Sequence, residues 1–306
     1  MKIWNFFITV IFNIIKCLSL NNSISGEYFS FFLSNTTKFN YKEINNLIVF
    51  GDSHSAVRTN LTDMSYTGKN ASRGKNWPLW LIEFNNMKLW NYAWGGSVID
   101  MKLIVKDRWV ELDLKNQYNY FYENMSEEKK FYNQWKKNNS LFAIWIGNRD
   151  VALVKKNMNI TEEIDKITDS LFATINDIYD IGARNILIME AYPRYKFPCN
   201  NENLDFIKNN IIEFNNNIRK KTKLFFEKYL DLNIFIYKTV DIFEEIILNC
   251  NKYNFKDCVN AWIKNDKNNI NDYFWVNSHI NEKGNKLLAK YINDTLSLVN
   301  FSLIKD

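Results

Sequence analysis

The chain has 306 residues, 46% apolar and 24% charged, which is enough for one large domain with its own core and gives no reason for two. Its formal charge of +5 is spread along the chain and not gathered into a basic stripe, which argues against nucleic acid as a partner. Roughly one residue in seven is Asn while Gly and Pro are scarce, a bias toward AT-rich codons that reads as genomic before it reads as structural.

At the amino terminus, "MKIWNFFITVIFNIIKCLSLNNS" sets Lys2 ahead of an apolar run from Ile3 to Ile15, followed by Cys17 and Ser19 at signal-peptidase spacing. The pattern predicts a secretory signal over residues 1–19, a single domain over 20–306 and a secreted, extracellular protein. Asn5 and Asn13 interrupt a run already short for a membrane span, so no stable membrane insertion is expected. Loss of Lys2 and Lys16 would lower the net charge from +5 to about +3. Sequons such as Asn60-Leu-Thr62, Asn70-Ala-Ser72, Asn124-Met-Ser126 and Asn293-Asp-Thr295 fit a glycoprotein, although an Asn-rich chain produces several by chance.

Five apolar, partly β-branched segments then recur: "NLIVFG" (46–51), "KLWNYA" (88–93), "LFAIWIG" (141–147), "NILIMEAY" (185–192) and "NIFIYKTV" (233–240). Near-continuous hydrophobicity of this kind suits parallel strands buried on both faces. Helical patterns lie between them. Pro78 in "GKNWPLWLIEF" opens the helix before the second strand, and Ile164, Ile167, Leu171, Ile175 and Ile178 keep a helical period up to Gly182, a C-terminal cap. A further helix runs through Leu204, Ile207, Ile211, Phe214, Ile218 and Phe225, and its basic run "RKKTK" (219–223) reads as a solvated face. The last helix opens near Asn281 and runs through Leu287, Leu288, Tyr291, Ile292 and Leu296. Such alternation implies right-handed crossovers and a three-layer α/β/α sandwich on a five-stranded parallel sheet, flavodoxin-like in architecture.

Cys250 and Cys258 flank a short polar loop and are expected to form a disulfide in an oxidising compartment, leaving Cys199 over. With three mature cysteines and only His54 and His279 in the chain, neither a metal site nor a phosphate-cradling glycine loop is expected, and no cofactor.

Ligands of open parallel sheets bind beyond the carboxyl ends of the strands. "FGDSHS" follows the first segment and places Ser53 at a strand-to-helix turn, where a helix N-terminus would support developing negative charge. "NYAWGGS" follows the second and "IWIGNRD" the third. A serine nucleophile needs a base within reach and donors for the oxyanion; His279 in "YFWVNSH" is the stronger candidate base. His54 is expected at the cleft rim and Asp52 as a brace of the turn.

From Asn46 to the final helix, these stretches in this order, with "TDMSYTGKNASRGKNWPLWL" between the first two, resemble the SGNH hydrolases, also called GDSL esterases and lipases. The chain is most similar to fungal secreted acetylesterases of carbohydrate esterase family 16. The resemblance implies metal-free hydrolysis of an ester, often an acetyl group on plant-wall carbohydrate. It makes Ser53 the nucleophile and an oxyanion donor through its own N–H, Gly96 the second donor and His279 the base.

Two matches fail. The family pattern Gly-x-Asn-Asp becomes "GNRD", with Arg149 at the oxyanion amide and Asn148 one place early; Asp-x-x-His-Pro becomes "VNSHI", with Val276 at the acid and Ile280 after the histidine. Loss of one oxyanion donor costs about 10²- to 10³-fold in kcat, and neutralising the acid of a serine triad costs about 10⁴-fold. Asp272, Asn277 or a backbone carbonyl could orient the ring instead. Three readings follow: a weakened esterase acting on an ester substrate, a silent relative that binds carbohydrate or an acylated ligand, and a lipid esterase, for which no lid segment stands out. Trp77, Trp80, Trp90 and Trp94 offer a sugar-stacking platform, though most must be core. Oligomeric state is not readable from the sequence.

Overall fold

The computed structural model describes residues 23–104, 110–198 and 203–302; the expected signal, Cys17 and Cys199 lie outside them. In chain order come β1 (Ser23–Ser25), β2 (Phe29–Phe32), β3 (Asn46–Gly51), α1 (Trp77–Asn85), β4 (Lys88–Asn91), α2 (Leu114–Met125), β5 (Ser140–Trp145) and α3 (Asn148–Leu153). Then follow α4 (Ile160–Asp180), β6 (Asn185–Met189), α5 (Leu204–Lys228), β7 (Asn233–Tyr237), α6 (Thr239–Leu248), β8 (Asp257–Ala261), β9 (Tyr273–Trp275) and α7 (Glu282–Ser302). The main sheet has the order β1-β2-β7-β6-β5-β3-β4.

Its five strands β7-β6-β5-β3-β4 are parallel and coincide with the five apolar segments; β3 fills its segment to Gly51, and the other four stop short of the segment's end. The two strands beyond them are an addition to the expected sheet: β2 pairs antiparallel with β7, and β1 with β2. They cover backbone groups of β7 that would otherwise form an open edge.

Alternate strand residues serve opposite layers. Leu47, Val49, Leu141, Ala143, Leu187 and Phe235 pack into the core shared with α1, α6 and α7, while Ile48, Phe50, Phe142, Ile144, Ile186 and Ile234 pack into the core shared with α2, α4 and α5. Burial on both faces explains why these segments lack polar alternation.

Helix boundaries follow local chemistry. The Asn159 side chain accepts from the Glu162 N–H to cap α4, Glu162 and Glu163 sit in its first turn, and Gly182 lies just past its end. Pro78 is the second residue of α1, where its missing N–H costs nothing. Asn281 precedes α7 and accepts from the Gly284 N–H at 2.8 Å.

The basic run at 219–223 is not simply a solvated face. Arg219 forms a two-pronged ion pair with the buried Glu190 (2.6 and 2.8 Å), and Lys221 pairs with Asp165 and Asp169 of α4. Lys220 and Lys223 remain exposed. Cys250 and Cys258 are disulfide-bonded. No helix among the described residues is long and apolar enough to cross a membrane.

Candidate active site

Chain order reverses between β3 and β5, and the crevice opens beyond their carboxyl ends. After Gly51 the backbone makes a single turn, closed by the Ser55 and Ala56 N–H groups donating to the Asp52 carbonyl at 3.0 Å each. No helix follows, contrary to the sequence expectation. Arg58 takes a left-handed φ of 56°, which no α-helix accommodates, and the chain passes into the long loop that ends at α1. Asp52 is buried and accepts from the His54 N–H at 2.9 Å, bracing the turn that presents Ser53.

A clamp from α2 holds this turn to its neighbour. The buried Gln117 accepts from the Gly51 N–H (2.8 Å) and donates to the Gly51 carbonyl (2.9 Å) and the Ser97 hydroxyl (2.9 Å). It thereby fixes the end of β3 against the loop that carries Gly96, whose φ of 83° is readily adopted only by glycine.

The ring of His279 arrives from β9. The Val276 N–H donates to the His279 carbonyl at 2.8 Å and Trp275 bridges to Ile280, closing a tight turn. Within it, Asn277 Oδ1 accepts from the His279 backbone N–H at 2.9 Å and lies 2.9 Å from His279 Nδ1. That pair of contacts fixes the chemistry. A backbone N–H can only donate, so the atom facing it must be the amide oxygen, and the same oxygen can only accept from the ring. His279 therefore carries its proton on Nδ1. Nε2 is left as an acceptor, 2.7 Å from Ser53 Oγ. The Ser278 hydroxyl is a second, longer neighbour of Nδ1 at 3.3 Å.

Gly147, with φ 108° and no room for a Cβ beside the Phe214 ring, turns β5 into α3. Asn148 is buried, and its Oδ1 accepts from the Tyr192 N–H at 2.9 Å. Arg149 is half-buried and lines the crevice.

Ser53 stands on the divide between two cavities. A recess of about 380 Å³ is lined by Ser53, His279, Gly96, Arg149, Asn148 and Arg194, among others. A wider cleft of about 1130 Å³ opens on the other side, between the loop that follows Ala56 and Trp94. The structure thus gathers all five candidate residues around one small volume.

Burial, with the Arg194 charge nearby, lowers His279 to about 4, so the ring is neutral through mildly acid pH. Burial also raises Asp52 to about 6, although the His54 N–H, Asn148, Arg194 and Arg149 oppose the rise. Together the arrangement offers a hydroxyl in contact with a neutral, correctly tautomerised imidazole, beside backbone and guanidinium donors.

Comparison with known proteins agrees. Residues 47–292 match the family model described as GDSL-like Lipase/Acylhydrolase. The chain belongs to that family. It is 29% identical over 167 residues to an acetylesterase of Thermothelomyces thermophilus, and the match spans 50% of this chain and 55% of that protein, about half the length of the curated relative. Among solved structures it is similar to a Parabacteroides merdae protein described as a GDSL-like lipase (TM-score 0.50, 14% identity, 85% of this chain and 98% of the other). It is also similar to a catalytic mutant of an acetylxylan esterase from Geobacillus stearothermophilus (TM-score 0.46, 14% identity, 82% and 94%).

Against the GDSL pattern the departures take physical form. Val276 is buried with its carbonyl accepting from the Ile263 N–H, and the acceptor on the ring has moved one residue on, to Asn277. Asp272 pairs with Lys256 at 2.9 Å instead of reaching the ring. His54 is not a rim residue: it is buried between Trp145, Tyr192 and the His279 ring, on which it stacks at 4.5 Å, and burial keeps it well below its ordinary value. Trp77 and Trp90 are core, Trp80 lies under Lys75 and Lys286, and Trp94 alone of the four lines the wide cleft.

Sequence reasoning passed over Gln117 and Arg194. Arg194 follows the fourth strand, so the carboxyl-end rule pointed to it. Gln117 gave no signal, being a polar residue in mid-helix whose partners are distant backbone groups.

Proposed function

We propose that this protein is a secreted serine esterase that removes acyl groups, acetyl above all, from carbohydrate. The observation that carries the reading is the relay Asn277 Oδ1, His279 Nδ1–H, His279 Nε2 and Ser53 Oγ, at 2.9 and 2.7 Å. Ser53 Oγ bonds to the acyl carbon as its proton passes to Nε2; the Ser53 and Gly96 N–H groups, with Arg149, face the oxyanion. Nε2–H then protonates the departing alkoxide as the ester C–O bond breaks. Water gives a proton to Nε2 while its oxygen attacks the acyl-enzyme, and Ser53 leaves with that proton.

Asn277 performs the orienting part of an acid's role without its charge, since an amide oxygen fixes the tautomer but stabilises imidazolium far less than a carboxylate does. The base is correspondingly weak, and a modest kcat is expected. Acetylated sugar as substrate is supported by the likeness to the acetylesterase and by the size of the wide cleft. Secretion is supported by the amino-terminal signal pattern and the disulfide, and glycosylation by the exposed sequon at Asn60.

The test is hydrolysis of 4-nitrophenyl acetate by the purified protein and by Ser53→Ala. A fall of at least about 10³-fold in kcat is expected for the variant. Equal rates would favour the silent carbohydrate-binding reading that Val276 and Arg149 suggest, as would failure of a fluorophosphonate to label Ser53.

A further inference from the structure

Arg58 and the stretch 67–75, joined by the Thr67 N–H donating to the Arg58 carbonyl at 3.3 Å, contribute neither nucleophile nor base, yet they build one wall of the cleft of about 1130 Å³ beside Ser53. The wall is held firmly. Asn70 donates to the Gly68 and Gly74 carbonyls (2.9 and 2.8 Å) and accepts from the Ser72 N–H (2.8 Å), while Asn285 of α7 reaches the Ser72 hydroxyl (2.9 Å). Arg58 and Arg73 both line the cleft, and both are held at left-handed φ, 56° and 61°. Such backbone is unfavourable for a non-glycine residue and persists where surrounding contacts over-determine it.

The charges on this wall are uneven. Lys75 is engaged by Glu83 and lies over the Trp80 ring, whereas exposed Arg58, Lys69 and Arg73 have no carboxylate within ion-pair distance among the described residues. Of the two acids lining the cleft, Glu111 accepts from the Trp94 indole N–H at 2.9 Å, and Glu282 packs against Gly74. The cleft therefore combines an indole, pinned in place, with three cations directed at solvent.

Resting on the esterase reading above, we propose that the alcohol half of the substrate is an acidic oligosaccharide whose uronic-acid carboxylate is bound by Arg58, Lys69 and Arg73. A neutral sugar can only accept hydrogen bonds from these cations through its hydroxyls, whereas a carboxylate adds charge and meets guanidinium forks suited to it in shape. The three side chains are exposed and distributed along one wall. All three lie along an open cleft of about 1130 Å³, which has room for a carboxylate carried on a bulky sugar. The field of the wall would also draw such a polymer toward Ser53.

The test reads binding without catalysis. Calorimetry on Ser53→Ala compares a glucuronic-acid-bearing xylo-oligosaccharide, the same oligosaccharide with its carboxyl reduced to the alcohol, and a sugar phosphate. The acidic form is expected to bind about tenfold more tightly than the reduced form at low ionic strength, and the difference to shrink near 1 M salt, where screening acts within about 3 Å. Adding Arg58→Gln and Arg73→Gln should remove most of the preference. Equal affinities for the acidic and reduced forms, or no binding of either, would overturn the proposal. Tighter binding of the sugar phosphate would overturn its carboxylate part. Failure of the esterase reading shows separately, as equal hydrolysis of 4-nitrophenyl acetate by the wild type and Ser53→Ala.

Discussion

The turn that presents Ser53 and the turn that presents His279 are built by different means. The first is braced from a distance: Gln117, 66 residues away from Gly51, satisfies both backbone groups of that residue, and Asp52 closes the turn behind it. The second is braced from within, by the backbone bond from Val276 to His279 and by the Asn277 amide two residues before the histidine. A turn held by long-range contacts is tied to the whole fold. A turn held by its own side chains can exchange one of them, as Val276 and Asn277 illustrate, and still keep the ring in place.

The two turns should consequently fail differently. Asn277→Leu removes the acceptor for Nδ1–H and should lower kcat on an aryl acetate by about 10²-fold with little change in Tm, because only a local turn loses its brace. Gln117→Ala removes three hydrogen bonds from a buried site and should act on the fold first. A loss of about 3 kcal/mol in denaturant unfolding is expected, with roughly a tenfold drop in kcat as the Ser53 turn loosens. The smallest effect belongs to Asp272→Asn: its ion pair with Lys256 lies away from the ring, so kcat should be unchanged and stability should shift by less than about 1 kcal/mol. A large loss of activity in Asp272→Asn would mean that the base turn is not self-contained.

How much of this was readable beforehand follows the same division. The parallel strands were legible because burial on both faces leaves continuous apolar runs, and α4 because Ile164 to Ile178 keep one period before Gly182. β1 and β2 were not, since three- and four-residue strands at a sheet edge carry no such signature. The missing helix after Ser53 was also hidden, because Arg58 adopts a left-handed conformation that its residue type does not announce. Ser53, His279 and Gly96 were legible as motif residues. Asn277 could be named only as one of several residues near the ring, because its role depends on which of its two side-chain atoms faces the histidine N–H, and geometry alone settles that.

In the proposed function an uncharged amide oxygen, Asn277 Oδ1, holds a neutral His279 ready to act as the base. The most direct test of this is the pH dependence of kcat/KM for an aryl acetate in the wild type and Asn277→Asp. Since burial lowers His279 to about 4, the wild type should keep its activity down to that region and lose it only as pH falls through it. A carboxylate at 277 favours the imidazolium, so the acid limb of Asn277→Asp should move up by at least about one unit. The same acid limb in both proteins, or a limb near the ordinary histidine value in the wild type, would rule out this role for Asn277 and His279.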